Sequence, residues 1–202
     1  MHKLQTAVLL RTRNAMLKVT RSIVFNLSYL FHPRWDSGIP APELLRFIQA
    51  KPPGKAIDIG CGTGTNLLYL AQRQWTVTGL DYAPLAIRKA RSKLKGHPAT
   101  LLVADVARLQ FLDLPGPYDL ALDMGCFHSL SDRDRKAYVQ GLEKWINQNG
   151  TYMVYAFQPS NPDDRKGVSK AEMIRYFAEK FVLRNYEQGR GRPSAWYYFE
   201  RK

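Results

Sequence analysis

The stretch Ala56-Ile57-Asp58-Ile59-Gly60-Cys61-Gly62-Thr63-Gly64 decides how the chain is read. An apolar run is interrupted by one acid, glycines then alternate, and Thr65-Asn66-Leu67-Leu68-Tyr69-Leu70-Ala71 follows in a helix-forming pattern. The order is strand, tight turn, helix start. Glycines let such a turn pass through left-handed backbone and let a nucleoside cofactor lie directly against main chain.

Hydrophobic periodicity and turn residues on either side predict the remaining elements. Helices are expected over 42–50, 65–72, 84–94 and 133–146, the last capped by Ser131. Ser169-Lys170-Ala171-Glu172 is a capping-box pattern that opens one more helix. Strands are expected over 55–59, 76–80, 100–104, 118–123, 151–157, 181–187 and 195–200. Alternation of strands and helices means a doubly wound α/β sheet, mostly parallel. The last two strands have only the loop Gln188-Gly189-Arg190-Gly191-Arg192-Pro193 between them, which predicts an antiparallel hairpin at one edge. The chain divides into a basic amphipathic arm, residues 1–34, and a domain over 35–202.

At 202 residues and 45% hydrophobic composition, one well-formed core is expected. Two cysteines, Cys61 and Cys126, exclude a disulfide framework and a cysteine-rich zinc site, and fit a reducing, cytoplasmic compartment. No apolar run is long enough to span a bilayer. The net charge of +13 would suit nucleic acid or an anionic surface. Its distribution is uneven. Residues 1–35 hold no acid, while Lys3, Arg11, Arg13, Lys18, Arg21 and Arg34 are basic. A second basic cluster comprises Arg184, Arg190, Arg192, Arg201 and Lys202. In the arm, Leu4, Val8, Ala15, Val19, Ile23, Leu27 and Leu30 recur at mostly helical spacing. Two readings stand for it: a helix packed on the domain with a solvated basic face, or a peripheral contact with an anionic membrane. A targeting peptide would share this acid-poor composition.

Two further acids stand where a nucleoside needs them. Gly79-Leu80-Asp81 ends the second strand, and a carboxylate there can accept from both ribose hydroxyls. Val103-Ala104-Asp105-Val106 ends the third, where an acid can accept from an adenine amine. A dinucleotide site has the spacing G-x-G-x-x-G, but here the spacing is G-x-G-x-G, with Thr65 at the third glycine position. Asp58, two residues before the first glycine, suits a cofactor carrying an amino group better than one carrying a pyrophosphate.

Together these segments resemble the class I S-adenosylmethionine-dependent methyltransferases, from about Trp35 to the end of the chain. The resemblance implies a Rossmann-like seven-stranded sheet with an antiparallel C-terminal strand, and S-adenosyl-L-methionine as cofactor. It implies that Asp58 helps hold the methionine amino group, and that Gly60, Cys61, Gly62 and Gly64 form the cofactor turn. Asp81 matches the ribose acid, Asp105 and Val106 the adenine edge, and Asp123 the residue beside the methionine moiety and transferring methyl. Asn66 and Tyr82 adjoin these positions and join the cofactor set. Ala83 departs from the family's usual Ser or Thr helix cap.

The acceptor is read from other residues. Asp123-Met124-Gly125-Cys126-Phe127-His128-Ser129-Leu130 lacks both the Pro-Pro-Tyr motif of amino-methylating enzymes and the Pro-Cys nucleophile of cytosine-C5 enzymes. It resembles instead the small-molecule branch that includes thiopurine and tellurite-resistance methyltransferases. A small-molecule acceptor is therefore expected, methylated on O, S or N, or on C. Trp35, Cys126, His128 and Tyr155 are the candidate acceptor-site residues. Trp35 either covers the site or plugs the linker against the core, and Cys126 either lines the pocket or packs. His128 is the candidate general base, with an ordinary pKa of about 6.5, or else a histidine that only packs. The sulfonium methyl is already activated, so in-line alignment can supply most of the acceleration. The loop 155–167 is expected to form part of a substrate lid. The alternatives are an RNA methyltransferase using the basic surface and a cofactor-binding protein without catalysis. A nicotinamide-dependent reductase fits the glycine spacing poorly.

Overall fold

The computed structural model describes residues 26–31, 33–161, 164 and 167–202. The predicted arm therefore lies outside the described residues up to position 25, as do positions 162, 163, 165 and 166 of the predicted lid loop.

Elements follow in the predicted order: α1 (Pro42–Gln49), β1 (Lys55–Ile59), α2 (Thr65–Ala71), β2 (Thr76–Asp81), α3 (Pro84–Lys93), β3 (Ala99–Val103), β4 (Tyr118–Met124), α4 (Asp132–Trp145), β5 (Ile146–Phe157), α5 (Lys170–Phe177), β6 (Phe181–Gln188) and β7 (Ser194–Arg201). Two 3₁₀ turns that periodicity did not reveal, Val106–Phe111 and Phe127–Ser129, follow β3 and β4. The seven strands form one sheet in the order β3-β2-β1-β4-β5-β7-β6. β1, β2, β3, β4 and β5 are parallel, and β7 runs antiparallel between β5 and β6. The edge hairpin expected from the short 188–193 loop is β6–β7.

β5 begins five residues earlier than expected, directly where α4 ends at Ile146. Asn149 there has positive φ, and the pairing of β4 with β5 slips between Tyr118 and Leu120. Polar residues in Asn147-Gln148-Asn149-Gly150 hide the strand from a hydrophobic pattern. Two apolar layers cover the two faces of the sheet. One holds Ile57, Leu80, Phe127, Tyr138, Tyr152 and Phe177, the other Leu44, Leu67, Leu70, Trp75, Met153 and Trp196.

The capping box that opens α5 is complete. The Glu172 amide donates to Ser169 Oγ, and Glu172 Oε2 accepts from the Ser169 amide at 2.9 Å. This fixes the helix that sends Met173 and Phe177 into the core. Replacing Ser169 by Ala is expected to cost about 1 kcal/mol in urea denaturation. Adding Glu172→Gln to that variant should cost less than Glu172→Gln does alone, because the two side chains act as one unit.

Candidate active site

Parallel register brings three acids to one edge of the sheet. Ile59 pairs with Leu80 on one side and Asp123 on the other, so Asp58, Asp81 and Asp123 gather at the C-terminal ends of β1, β2 and β4. Ligands of open α/β sheets bind at this edge. The glycine turn is tied to β2: Leu80 O accepts from the Gly60 and Cys61 amides at 2.7 and 2.8 Å. Gly60 and Gly62 have φ of 82° and 54°, left-handed backbone that side chains resist. A Cβ on Gly60 would strike Cys126 Sγ, and one on Gly62 would stand 3.2 Å from the Tyr29 hydroxyl.

The three carboxyls have different surroundings. Asp81 Oδ2 accepts from the Gly62 amide at 2.9 Å, and Oδ1 from the Ala83 amide at 2.8 Å. The half-buried Tyr82 contributes a third amide. Burial pushes the Asp81 pKa up while these amides pull it back. Three amides on two oxygens leave a lone pair for a ribose hydroxyl. Asp123 is fully buried. Its oxygens accept from the Cys126 amide at 2.7 Å, the Phe127 amide at 3.0 Å and the Tyr138 hydroxyl at 2.7 Å, with the Tyr152 hydroxyl at 3.4 Å. Desolvation raises its pKa to about 6, with these donors opposing. Asp123 thus holds the turn that carries Cys126 and His128, a task its place in the sequence did not disclose.

Asp58 is the exception. It is 1% exposed, and its Oδ2 has no hydrogen-bond partner among the described residues. Desolvation, then the nearby charges of Asp123 and Asp81, raise its pKa to about 8, against a hydrogen bond from Asn66. Asn66 also accepts from the Ala41 amide at 3.2 Å and donates to Met124 Sδ at 3.1 Å, tying the segment before α1 to the end of β4. An orphaned acid oxygen beside a glycine cradle fits the ammonium of an amino-acid cofactor. Asp105 accepts from the Ala107 amide at 3.0 Å and so caps the 3₁₀ turn that starts at the buried Val106. Cys61 is buried, and its thiol lies beside Gly79, where it fills space.

The sequence did not single out Tyr29 or Asn26. Tyr29 is 4% exposed, and its hydroxyl accepts from Trp35 Nε1 at 3.4 Å. Trp35, at 59% exposure, meets the Tyr29 ring edge-on. Tyr29 is the inner plug between linker and turn, and Trp35 lies outside it. Asn26 Oδ1 accepts from the Leu85 amide at 2.8 Å and so supplies from a distance the α3 cap that Ala83 lacks. A chain of hydrogen bonds runs from Lys93 Nζ to Thr63 Oγ1 and on to Asp36, each 2.8 Å, and fastens the linker to the turn.

His128 departs from the expected general base. Burial, then the charges of Arg135 and Arg192, lower its pKa to about 4. Its Nδ1 accepts from the Phe157 amide at 3.4 Å, which leaves the proton of the neutral ring on Nε2. A neutral ring with Nε2–H donates a hydrogen bond, and its lowered pKa makes it a weak base. Tyr155 is half-buried and stands edge-on to Phe157 at 5.7 Å and tilted against Trp196 at 5.4 Å, an aromatic wall beside His128.

A glycine turn pinned between acid-tipped parallel strands, with an orphaned carboxyl beside it, fits a nucleoside cofactor that bears an amino group. The sequence profile of the methyltransferase domain matches residues 56–150. A 2-heptyl-1-hydroxyquinolin-4(1H)-one methyltransferase of Mycobacteroides abscessus is 34% identical over 70% of this chain and 65% of its own length. The chain thus spans just under two thirds of that relative. An uncharacterized methyltransferase of Schizosaccharomyces pombe is 30% identical over 52% of this chain and 72% of its own length. A structure solved in work on the conversion of a disulfide bond into a thioacetal group during echinomycin biosynthesis superposes with a TM-score of 0.76. It is 25% identical and covers 90% of this chain and 93% of the other. The chain belongs to the methyltransferase family.

The Asp58 pKa carries a stability consequence. The carboxyl ionises near 3.8 in the unfolded chain and at about 8 in the fold. Between those values the folded state holds the extra proton, so stability falls as pH rises. In urea denaturation without cofactor, the wild type is expected to lose stability relative to Asp58→Asn across this window. Parallel pH profiles would show that Asp58 is ionised throughout.

Proposed function

We propose that the protein transfers a methyl group from S-adenosyl-L-methionine to an oxygen, sulfur or nitrogen of a small, lipophilic acceptor. The orphaned Oδ2 of Asp58 beside the Gly60–Gly62 cradle carries this reading. Asp58 and Asn66 would hold the amino-acid end of the cofactor, Asp81 and Tyr82 its ribose, and Asp105 and Val106 its base, with Gly60, Cys61, Gly62 and Gly64 presenting backbone. When bound, the cofactor supplies a methyl electrophile that needs no further activation. The protein's task is then to orient the acceptor and exclude water, with Cys126, His128 and Tyr155 lining its place and Asp123 holding their turn. Tyr29 and Trp35 close the side of the site facing the linker.

The relatives' small-molecule chemistry supports this acceptor class, and the fate of the basic residues weakens the RNA reading. Arg184 pairs with Glu200 at 2.7 Å, Arg201 donates to the Ile146 carbonyl, and Lys202 donates to the carbonyls of Ala178 and Glu179. Calorimetry with S-adenosylhomocysteine tests the site: Asp81→Ala is expected to weaken binding by roughly 10- to 100-fold, the loss of a charged hydrogen-bond pair. Unchanged affinity would overturn the assignment.

A peripheral membrane contact beside the site is part of the same proposal. Phe31 and Ile39 are 83% and 72% exposed, and Leu27 and Leu30 are about half exposed, all close to Trp35 in sequence. Leu27, Leu30 and Phe31 lie in the segment without acids, a composition suited to an anionic bilayer surface. No helix among the described residues is long and apolar enough to cross a membrane. The two cysteines form no disulfide, which fits a cytoplasmic setting. The full chain is expected to sediment with vesicles containing anionic lipid, and the double variant Phe31→Ser, Ile39→Ser to do so several-fold less. Equal partitioning of the two would remove the membrane contact.

A further inference from the structure

At the far end of the aromatic wall stands a cation that the cofactor site does not use. The Arg192 guanidinium lies 3.7 Å above the Phe157 ring. No carboxylate pairs with it among the described residues, whereas Arg184 in β6 is spent on Glu200. The His128 ring packs on the same phenylalanine, with centroids 4.5 Å apart and planes at 49°. Phe157 is edge-on to Tyr155 in turn. Cys126 joins this cluster to the glycine turn, since its thiol abuts Gly60 and it stands two residues before His128.

The groups facing this cluster set its charge. Arg135 lies behind His128, its guanidinium donating to the carbonyls of Phe127, His128 and Gly167. Asp123 is turned into its own bonds with two amides and Tyr138. Among the described residues, the acceptor side of the site therefore offers a positive charge, a neutral imidazole and aromatic faces, and no free base. A phenol or thiol would have to shed its proton unaided. An acceptor that arrives ionised meets an attractive field.

We infer that Arg192, with Phe157 and His128, forms a subsite for a planar aromatic acceptor bound as its oxyanion or thiolate. This rests on the methyltransferase reading and names its substrate class. The acceptor's lone pair forms the new bond to the methyl carbon, and the electron pair of the methyl–sulfur bond returns to sulfur. The acceptor's proton has already gone to solvent, so none has to be removed within the site. Arg192 holds the anion over the ring system, and the neutral His128 supplies an N–H donor.

The probe is 4-nitrophenol, whose phenolate and phenol have distinct absorption spectra. It is titrated with pH on the full chain, with and without saturating S-adenosylhomocysteine. In the wild type the bound dye is expected to ionise about one pH unit lower than in water, the shift a nearby cation gives. Arg192→Gln should abolish most of that shift and Arg192→Lys keep part of it. Arg184→Gln, which removes the same charge elsewhere, should leave it intact. Dye that binds but titrates as in water, a shift that survives Arg192→Gln, or no dye binding would each overturn the subsite. Calorimetry with S-adenosylhomocysteine on the same samples separates the two ideas. Loss of cofactor binding with a persisting dye shift counts against the methyltransferase reading, and the reverse counts against the subsite.

Discussion

The pinning of the glycine turn to the end of β2 is the constraint on which the rest of the molecule depends. One carbonyl, Leu80 O, accepts from two successive amides of the turn, and the next residue, Asp81, takes the Gly62 amide through its side chain. The turn cannot shift without breaking the β1–β2 register that places Ile59 opposite Leu80. Everything that shapes the site leans on this point. Tyr29 rests on Gly62, Cys126 on Gly60, and Lys93 and Asp36 grip Thr63 between them.

Gathering three carboxyls at one edge is electrostatically costly, and the fold meets that cost unequally. Backbone amides solvate Asp81, and amides and phenols solvate Asp123. Among the described residues Asp58 has only Asn66, and it keeps its proton instead. Two of the acids are thus reconciled to burial by the protein itself. The third is reconciled only by a cation brought from outside, which is the physical content of calling this a binding site for an amino-acid cofactor.

Much of this was legible in the chain. Gly60-Cys61-Gly62-Thr63-Gly64 could only be a turn, Ser169 and Glu172 announced their helix, and β1 runs from Lys55 to Ile59 as the apolar pattern required. What stayed hidden depends on contacts distant in sequence. Asn26 caps a helix that starts at Pro84, and Tyr29 fills space over Gly62, neither of which follows from local spacing. Asp123 occupies the position of a site acid but spends its oxygens on the turn after β4, because Tyr138 and Tyr152 reach it from α4 and β5. His128 read as a base because its ordinary pKa suits the task. Its burial and the two arginines, invisible in one dimension, make it a neutral donor.

The proposed acceptor chemistry follows from the same inequality. With no free base beside the aromatic wall among the described residues, the proposed reaction would lean on alignment and on an acceptor ready to react, with the cofactor end of the site carrying the electrostatic specificity. The central claim is that Asp58 holds its proton until a cofactor's ammonium displaces it. Proton release on S-adenosylhomocysteine binding at pH 7, read by calorimetry in two buffers of different ionisation enthalpy, tests this most directly. The wild type is expected to release most of one proton and Asp58→Asn almost none. Tight binding by the wild type with heats independent of the buffer would contradict it.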